Sequence, residues 1–229
     1  MSDLAGSAAG AVFFDLDGTL VDTAPDMVAV LQALQRSRGL QPVSYEFGRS
    51  HVSNGALGLL RIAFPEVDGD EKKALHAEYL ERYAEALCVH SGLFAGLDEL
   101  LARLEAGGVK WGVVTNKPAY LTDPLLDQLA LAARSICTIS GDTLPVRKPH
   151  PEPLLHACAI AGVRPEDSVY VGDASRDIEA GLAAGMNTVA AAYGYIVDGD
   201  DPEAWGAHDV ARNTRELAQI VLKAVNLDT

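Results

Sequence analysis

Six short apolar runs of β-type residues alternate with amphipathic helical stretches along this chain. The runs cover 11–15, 109–115, 136–140, 168–173, 188–192 and, with a fainter pattern, 208–211. Helical periodicity fills 96–106, 118–130, 151–161, 175–184 and 214–225. Gly107-Gly108, Gly162 and Gly185 stand where C-terminal helix caps belong. Repeated βα units predict an α/β fold with a Rossmann-like, doubly wound, mostly parallel sheet covered on both faces. In such sheets ligands gather beyond the carboxyl ends of the strands.

One interval breaks the alternation. From about 21 to 89 the pattern reads as helices alone. Pro25 pre-sets a first turn, and Met27, Val28, Val30, Leu31 and Leu34 form an apolar stripe that runs to Gly39. A second helix, 56–64, stops at Pro65, and a third, 71–87, is long and amphipathic. We expect an inserted all-helical cap domain over 21–91, with the α/β core made of 1–20 and 92–229. Hinges are expected near 20–23 and 90–94, where Ser91-Gly92 loosens the chain.

The 229 residues carry a net charge of -14, which opposes an electrostatic grip on nucleic acid or an anionic membrane. An anionic ligand would need locally concentrated positive charge. Cys88, Cys137 and Cys158 are odd in number and lack CxxC spacing, as expected of thiols in a reducing compartment. Residues 1–10 show no basic leader, and no window approaches the roughly 20 apolar residues of a membrane span. A cytoplasmic protein, monomer or homodimer, acting on a small molecule is the expectation.

The first apolar run ends in Asp15-Leu16-Asp17-Gly18-Thr19. Two carboxylates at i and i+2 closing a buried strand are unfavourable unless a cation or a reaction uses them. Three other strand ends supply matching parts: Thr115-Asn116-Lys117-Pro118 before a helix, Arg147-Lys148-Pro149-His150-Pro151 in a stiff loop, and Gly172-Asp173 followed by Asp177. Oxygen ligands and a fixed lysine suit Mg²⁺ and a phosphoryl group. Asp15, Asp173 and the main-chain carbonyl of Asp17 would cradle the Mg²⁺. Gly18, Thr115, Asn116 and Lys148 would bind the phosphate. Asp15 would act as nucleophile through an aspartyl-phosphate, and Asp17 as general acid and then base. Thr115 and Asn116 also suit simple capping of the helix at Pro118.

These four segments, in this order, resemble the motifs of the haloacid dehalogenase-like superfamily, and the resemblance spans essentially the whole chain. Within it the chain resembles the phosphoglycolate phosphatase type. Stretches at 89–91, 111–118, 193–196 and 205–207 are also similar to the N-acetylmuramic acid 6-phosphate phosphatase branch. The resemblance implies that Asp177 supports Lys148 or a metal-bound water.

The polar stretch Arg49, His51, Ser53, Asn54 and Gly55 reads as a cap loop that closes over the substrate. Arg49, Asn54 and Gly55 are the candidate specificity residues, and Arg49, His51 or Arg61 could meet a substrate carboxylate. The expected activity is Mg²⁺-dependent hydrolysis of a small carboxylate-bearing phosphate ester, 2-phosphoglycolate or N-acetylmuramic acid 6-phosphate. A sugar phosphomutase and a non-catalytic phosphate-binding regulator are the alternatives.

Overall fold

The central strand β1 (Ala11–Phe14) is buried at every position because helices cover both faces of its sheet. Side chains alternate across a strand, so Val12 and Phe14 enter one apolar cluster while Ala11 and Phe13 enter another. The computed structural model describes residues 10–227. The stretch 1–9, most of the segment read above as lacking a leader, lies outside them.

Six residues separate β1 from a short ribbon that pairs β2 (Val21–Asp22) with β3 (Gly92–Leu93). The main sheet adds β4 (Lys110–Val114), β5 (Thr138–Ile139), β6 (Val169–Gly172), β7 (Asn187–Ala191) and β8 (Asp209–Ala211). Its order is β5-β4-β1-β6-β7-β8, with every neighbouring pair parallel. This is the doubly wound arrangement, which reverses direction between β1 and β6 and opens a crevice at their carboxyl ends. Phe14 lies opposite Val113 on one side and Val171 on the other. That register brings Asp15, Thr115 and Asp173 to a common rim.

The helices over the sheet are α5 (Leu97–Ala106), α6 (Ala119–Gln128), α7 (Glu152–Ala161), α8 (Ser175–Ala183) and α9 (Thr214–Ala224). Leu101, Leu104, Leu125, Leu217 and Val221 fill one face, and Leu154, Ala157, Ala161 and Ala180 the other. Cutting one of these leucines to alanine would cost about 2–5 kcal/mol. The thiols of Cys88, Cys137 and Cys158 are free. Burial pushes Cys137 up to about 11, so it packs as a neutral group. Among the described residues no helix is long and apolar enough to cross a membrane.

Between β2 and β3 the chain forms α1 (Ala24–Ser37), α2 (Tyr45–Ser50), α3 (Gly55–Ala63) and α4 (Gly69–Glu85). The stripe of α1 is buried against Leu59 and Leu60 of α3 and Tyr79 and Tyr83 of α4. Two expectations are corrected here. The interval does not begin as helix: Val21 pairs with Leu93 and Asp22 with Gly92, so the two chain crossings are stitched together. A two-residue strand is too short to show a period.

The polar stretch 49–55 is also more ordered than a loop. Arg49 lies in α2, which Ser44 caps by accepting from the Phe47 N–H at 3.2 Å, and a 3₁₀ turn spans Val52–Asn54. Gly48 lets α2 sit on α1, since a Cβ there would come within 2.9 Å of Val28 Cγ1.

Asp26 fastens the second crossing. Its buried carboxylate accepts the N–H groups of Val89, His90 and Ser91 and the Ser91 hydroxyl, at 2.6–3.0 Å. Four donors satisfy a charge that would otherwise be costly to bury.

Candidate active site

Asp15 leaves β1 with its own N–H bonded to Val171 O at 2.8 Å, which holds it against β6. Its Oδ1 takes the Leu16 N–H at 2.7 Å and the ammonium of Lys148 at 3.0 Å. Lys148 is almost fully buried. It also contacts Asp177 Oδ1 at 2.7 Å, Tyr170 Oη at 2.7 Å and Val114 O at 2.9 Å. One ammonium thus joins two carboxylates and the end of β4. A cis peptide links Lys148 to Pro149.

Asp177 lies in the first turn of α8, where Oδ2 accepts the Ala174 N–H at 3.1 Å. Burial pushes its carboxyl upward against the opposing pull of Lys148. Asp173 Oδ2 accepts the Tyr195 N–H at 2.9 Å and the Ser53 hydroxyl at 2.5 Å. Its Oδ1 is buried and has no partner. Burial, then the charges of Asp15 and Asp177, raise Asp173 to about 7.

Oxygens of Asp15, Asp173 and Asp177 lie within 4.8 Å of one another. The Asp17 side chain stands outside this trio. Its Oδ1 accepts the Thr23 hydroxyl at 2.6 Å and the Lys117 ammonium at 2.9 Å.

Asn116 braces the lysine loop. Its amide spans the Lys148 main chain, donating to Lys148 O at 2.9 Å and accepting the Lys148 N–H at 3.1 Å. It positions the lysine loop, and because Nδ2 carries a second hydrogen and Asn116 lines the cavity, one amide N–H is left to donate there. Thr115 Oγ1 accepts the Lys117 N–H at 3.1 Å, the capping role weighed beside phosphate binding, and keeps a hydroxyl proton to donate. Gly18 turns at φ +84° directly beneath Asp173.

Asp15, Asp17, Thr115, Asn116 and Lys148 floor a cavity of about 550 Å³ roofed by the helical insertion. Asn54 and Gly55 line it, together with Ser53, Tyr79, Leu80 and Tyr83. Arg49, His51 and Arg61 do not. Arg49 instead donates to Gly194 O at 3.1 Å and Tyr193 O at 3.4 Å, with its guanidinium 4.9 Å from the Tyr195 ring centre. It clamps the insertion to the core. The cavity's cations besides Lys148 are Lys117, Arg147 and Arg176. Arg176 also donates to Ser53 O at 2.8 Å.

The haloacid dehalogenase-like hydrolase family matches residues 12–191. The chain is 46% identical over 218 residues to the N-acetylmuramic acid 6-phosphate phosphatase of Pseudomonas putida, covering 94% of this chain and 97% of that one. It is 48% identical over 207 residues to the phosphoglycolate phosphatase of Xanthomonas campestris pv. campestris, covering 90% and 94%. The chain belongs to the haloacid dehalogenase-like hydrolase family. A crystal structure of a predicted phosphoglycolate phosphatase from Haemophilus somnus superposes with a TM-score of 0.83 at 29% identity, over 94% of this chain and 99% of that one. The hydrolase is a phosphatase of that family.

Hydrolases of this family generally use a metal ion, and this one carries residues that suit a hard cation. The donors are carboxylate oxygens, and one of them, Asp173 Oδ1, is buried without a partner. Three residues of this hydrolase's site drew no assignment from the sequence. Lys117 follows the Thr-Asn pair, Arg176 sits one position before Asp177, and Tyr83 lies in a helix whose only signal was amphipathic. The proximity of Lys117 and Arg176 to the motifs was the one available cue.

Proposed function

We propose that the protein hydrolyses phosphomonoesters by attack of Asp15 on phosphorus. The observation that carries this is the setting of Asp15. It lies at the switch point of the sheet, its Oδ1 is pinned by Lys148 and the Leu16 N–H, and it faces a cavity. Oδ2 carries neither contact and is the attacking atom. As the Oδ2–P bond forms, the P–O bond to the alcohol breaks, and Asp17 gives that oxygen a proton. Asp17 then takes a proton from water, which attacks phosphorus, frees inorganic phosphate and restores Asp15.

Mg²⁺, held by Asp15, Asp173 and the Asp17 carbonyl, would neutralise charge on the phosphoryl oxygens. Lys148 adds its fixed positive charge on the same side, and the Thr115 hydroxyl and the turn at Gly18 supply donors. Asn116 keeps Lys148 in place. Helices α1–α4 act as a cap over this floor and exclude water from it.

The cavity supports the larger of the two expected substrates. A two-carbon ester would leave most of about 550 Å³ unfilled, whereas a hexose 6-phosphate with a carboxylate-bearing arm suits such a space. Tyr79, Leu80 and Tyr83 offer a sugar ring apolar faces, and Arg147 and Arg176 offer a carboxylate its counter-charge. N-acetylmuramic acid 6-phosphate has both features. We place the reaction in the cytoplasm, where free thiols persist.

The test is kcat/KM for N-acetylmuramic acid 6-phosphate and 2-phosphoglycolate measured side by side. A preference of about 100-fold or more for the sugar is expected, about 2.7 kcal/mol of discrimination. Preference for the two-carbon acid would overturn the choice of substrate. Poor rates on both would overturn the substrate class.

A further inference from the structure

Lys117 is the charged member of the 115–118 segment that the mechanism above leaves unused. Its side chain is only 5% exposed. Its ammonium lies 2.9 Å from Asp17 Oδ1 and donates to Tyr83 Oη at 2.9 Å, with the tyrosine ring centre 4.7 Å away. Its main chain is fixed as well, through the N–H donated to Thr115 Oγ1. A buried ammonium is strongly unfavourable without such partners. The partners come from three places. Asp17 follows β1, Lys117 follows β4, and Tyr83 belongs to α4 of the insertion. Thr23, just before α1, also donates to Asp17 Oδ1.

Two donors on one carboxylate oxygen stop rotation about the side-chain bond. Oδ2 accepts neither and is the atom able to exchange a proton with the leaving alcohol. We propose that Lys117 is a positioning residue, holding Asp17 so that Oδ2 meets the leaving oxygen and, through Tyr83, tying that orientation to the docking of α4 on the core. This rests on the acid–base role assigned to Asp17. It assigns the cap a part in catalysis beyond substrate selection: an α4 that swings away removes one partner of Lys117 and loosens the proton donor.

The experiment compares an alkyl ester, N-acetylmuramic acid 6-phosphate, with p-nitrophenyl phosphate, whose phenolate departs without a proton. Lys117→Met, Asp17→Asn and the double variant are assayed on both. General acid assistance is commonly worth 10²–10⁴-fold. Lys117→Met should therefore lose about tenfold or more in kcat on the alkyl ester relative to the aryl ester, with KM little changed. The double variant should be no slower than Asp17→Asn alone, and Lys117→Arg should recover part of the loss.

Equal losses on both esters, or fully additive losses in the double variant, would overturn the proposal. Should Asp17→Asn itself slow both esters alike, the acid–base assignment fails instead, whatever Lys117 does. Tyr83→Phe covers the case in which Lys117→Met does not fold, because it spares the ion pair. It should show the same discrimination at smaller size, and none at all would overturn the link to the cap.

Discussion

Gly18 and Asp173 are packed so closely that a Cβ on residue 18 would lie 2.0 Å from Asp173 Oδ2. Gly194 closes from another side, where a Cβ would stand 2.4 Å from Asp173 Cβ. The φ of +84° at Gly18 adds backbone strain to any larger residue. Gly18→Ala should displace the carboxylate and lower kcat by about 100-fold. The fold should lose only about 1–2 kcal/mol. Steady-state assays with a Mg²⁺ titration, beside urea denaturation, measure the two effects separately. Unchanged Mg²⁺ dependence would mean that the place of Asp173 does not matter.

Asp15 and Lys148 should respond differently to substitution. Asp15→Asn removes the attacking atom but preserves shape, so turnover should fall by about 10⁴-fold or more with the fold intact. Trapping wild type with beryllium fluoride should give an adduct on residue 15, seen by fluorine NMR, and the variant should give none. Lys148→Met leaves Asp15 and Asp177 buried without their counter-charge. That variant should lose both activity and about 3–5 kcal/mol of stability. A Lys148→Met protein as stable as wild type would contradict the buried pairing.

The metal response should depend on pH through Asp173. Its folded value of about 7 lies above the unfolded carboxylate range. The stability it contributes is therefore fully present below about pH 4 and is lost as pH rises through about 7 in metal-free protein. A divalent cation binds the ionised carboxylate and restores that loss. Saturating Mg²⁺ should raise Tm by roughly 5–10 °C at pH 8 and by far less at pH 5. Equal shifts at both pH values in a thermal scan would remove Asp173 from the metal site.

Arg49 and Asn116 should behave as positioning groups. Arg49 clamps α2 to the 193–195 segment, so Arg49→Ala should lower kcat on every substrate by a similar factor, about tenfold, with the substrate ranking preserved. Asn116→Ala should release the Lys148 loop, costing about 1–2 kcal/mol, with phosphate product inhibition little altered. A selective loss on the carboxylate-bearing ester in Arg49→Ala would return that residue to substrate binding. A large rise in the phosphate inhibition constant in Asn116→Ala would do the same for the amide.

The doubly wound sheet was readable from local pattern because strand and helix periods are properties of neighbouring residues. All six runs became strands of the main sheet, and acids that end strands had to meet at the carboxyl rim once those strands were parallel. Asp15, Asp173, Asp177 and Lys148 come together for that reason. The β2–β3 ribbon was not readable, because two-residue strands carry no period and their pairing joins positions about seventy apart. Helix α2 was hidden by its polar, glycine-containing sequence, which only packing on Val28 rewards. Which oxygen of Asp17 is held, where the Asn116 amide points, and that Arg49 grips the core were likewise settled by tertiary contact. So was the meeting of Lys117 with Tyr83, 34 residues apart. A side chain's partner depends on register and helix docking across the whole chain, and no short window of residues contains that information.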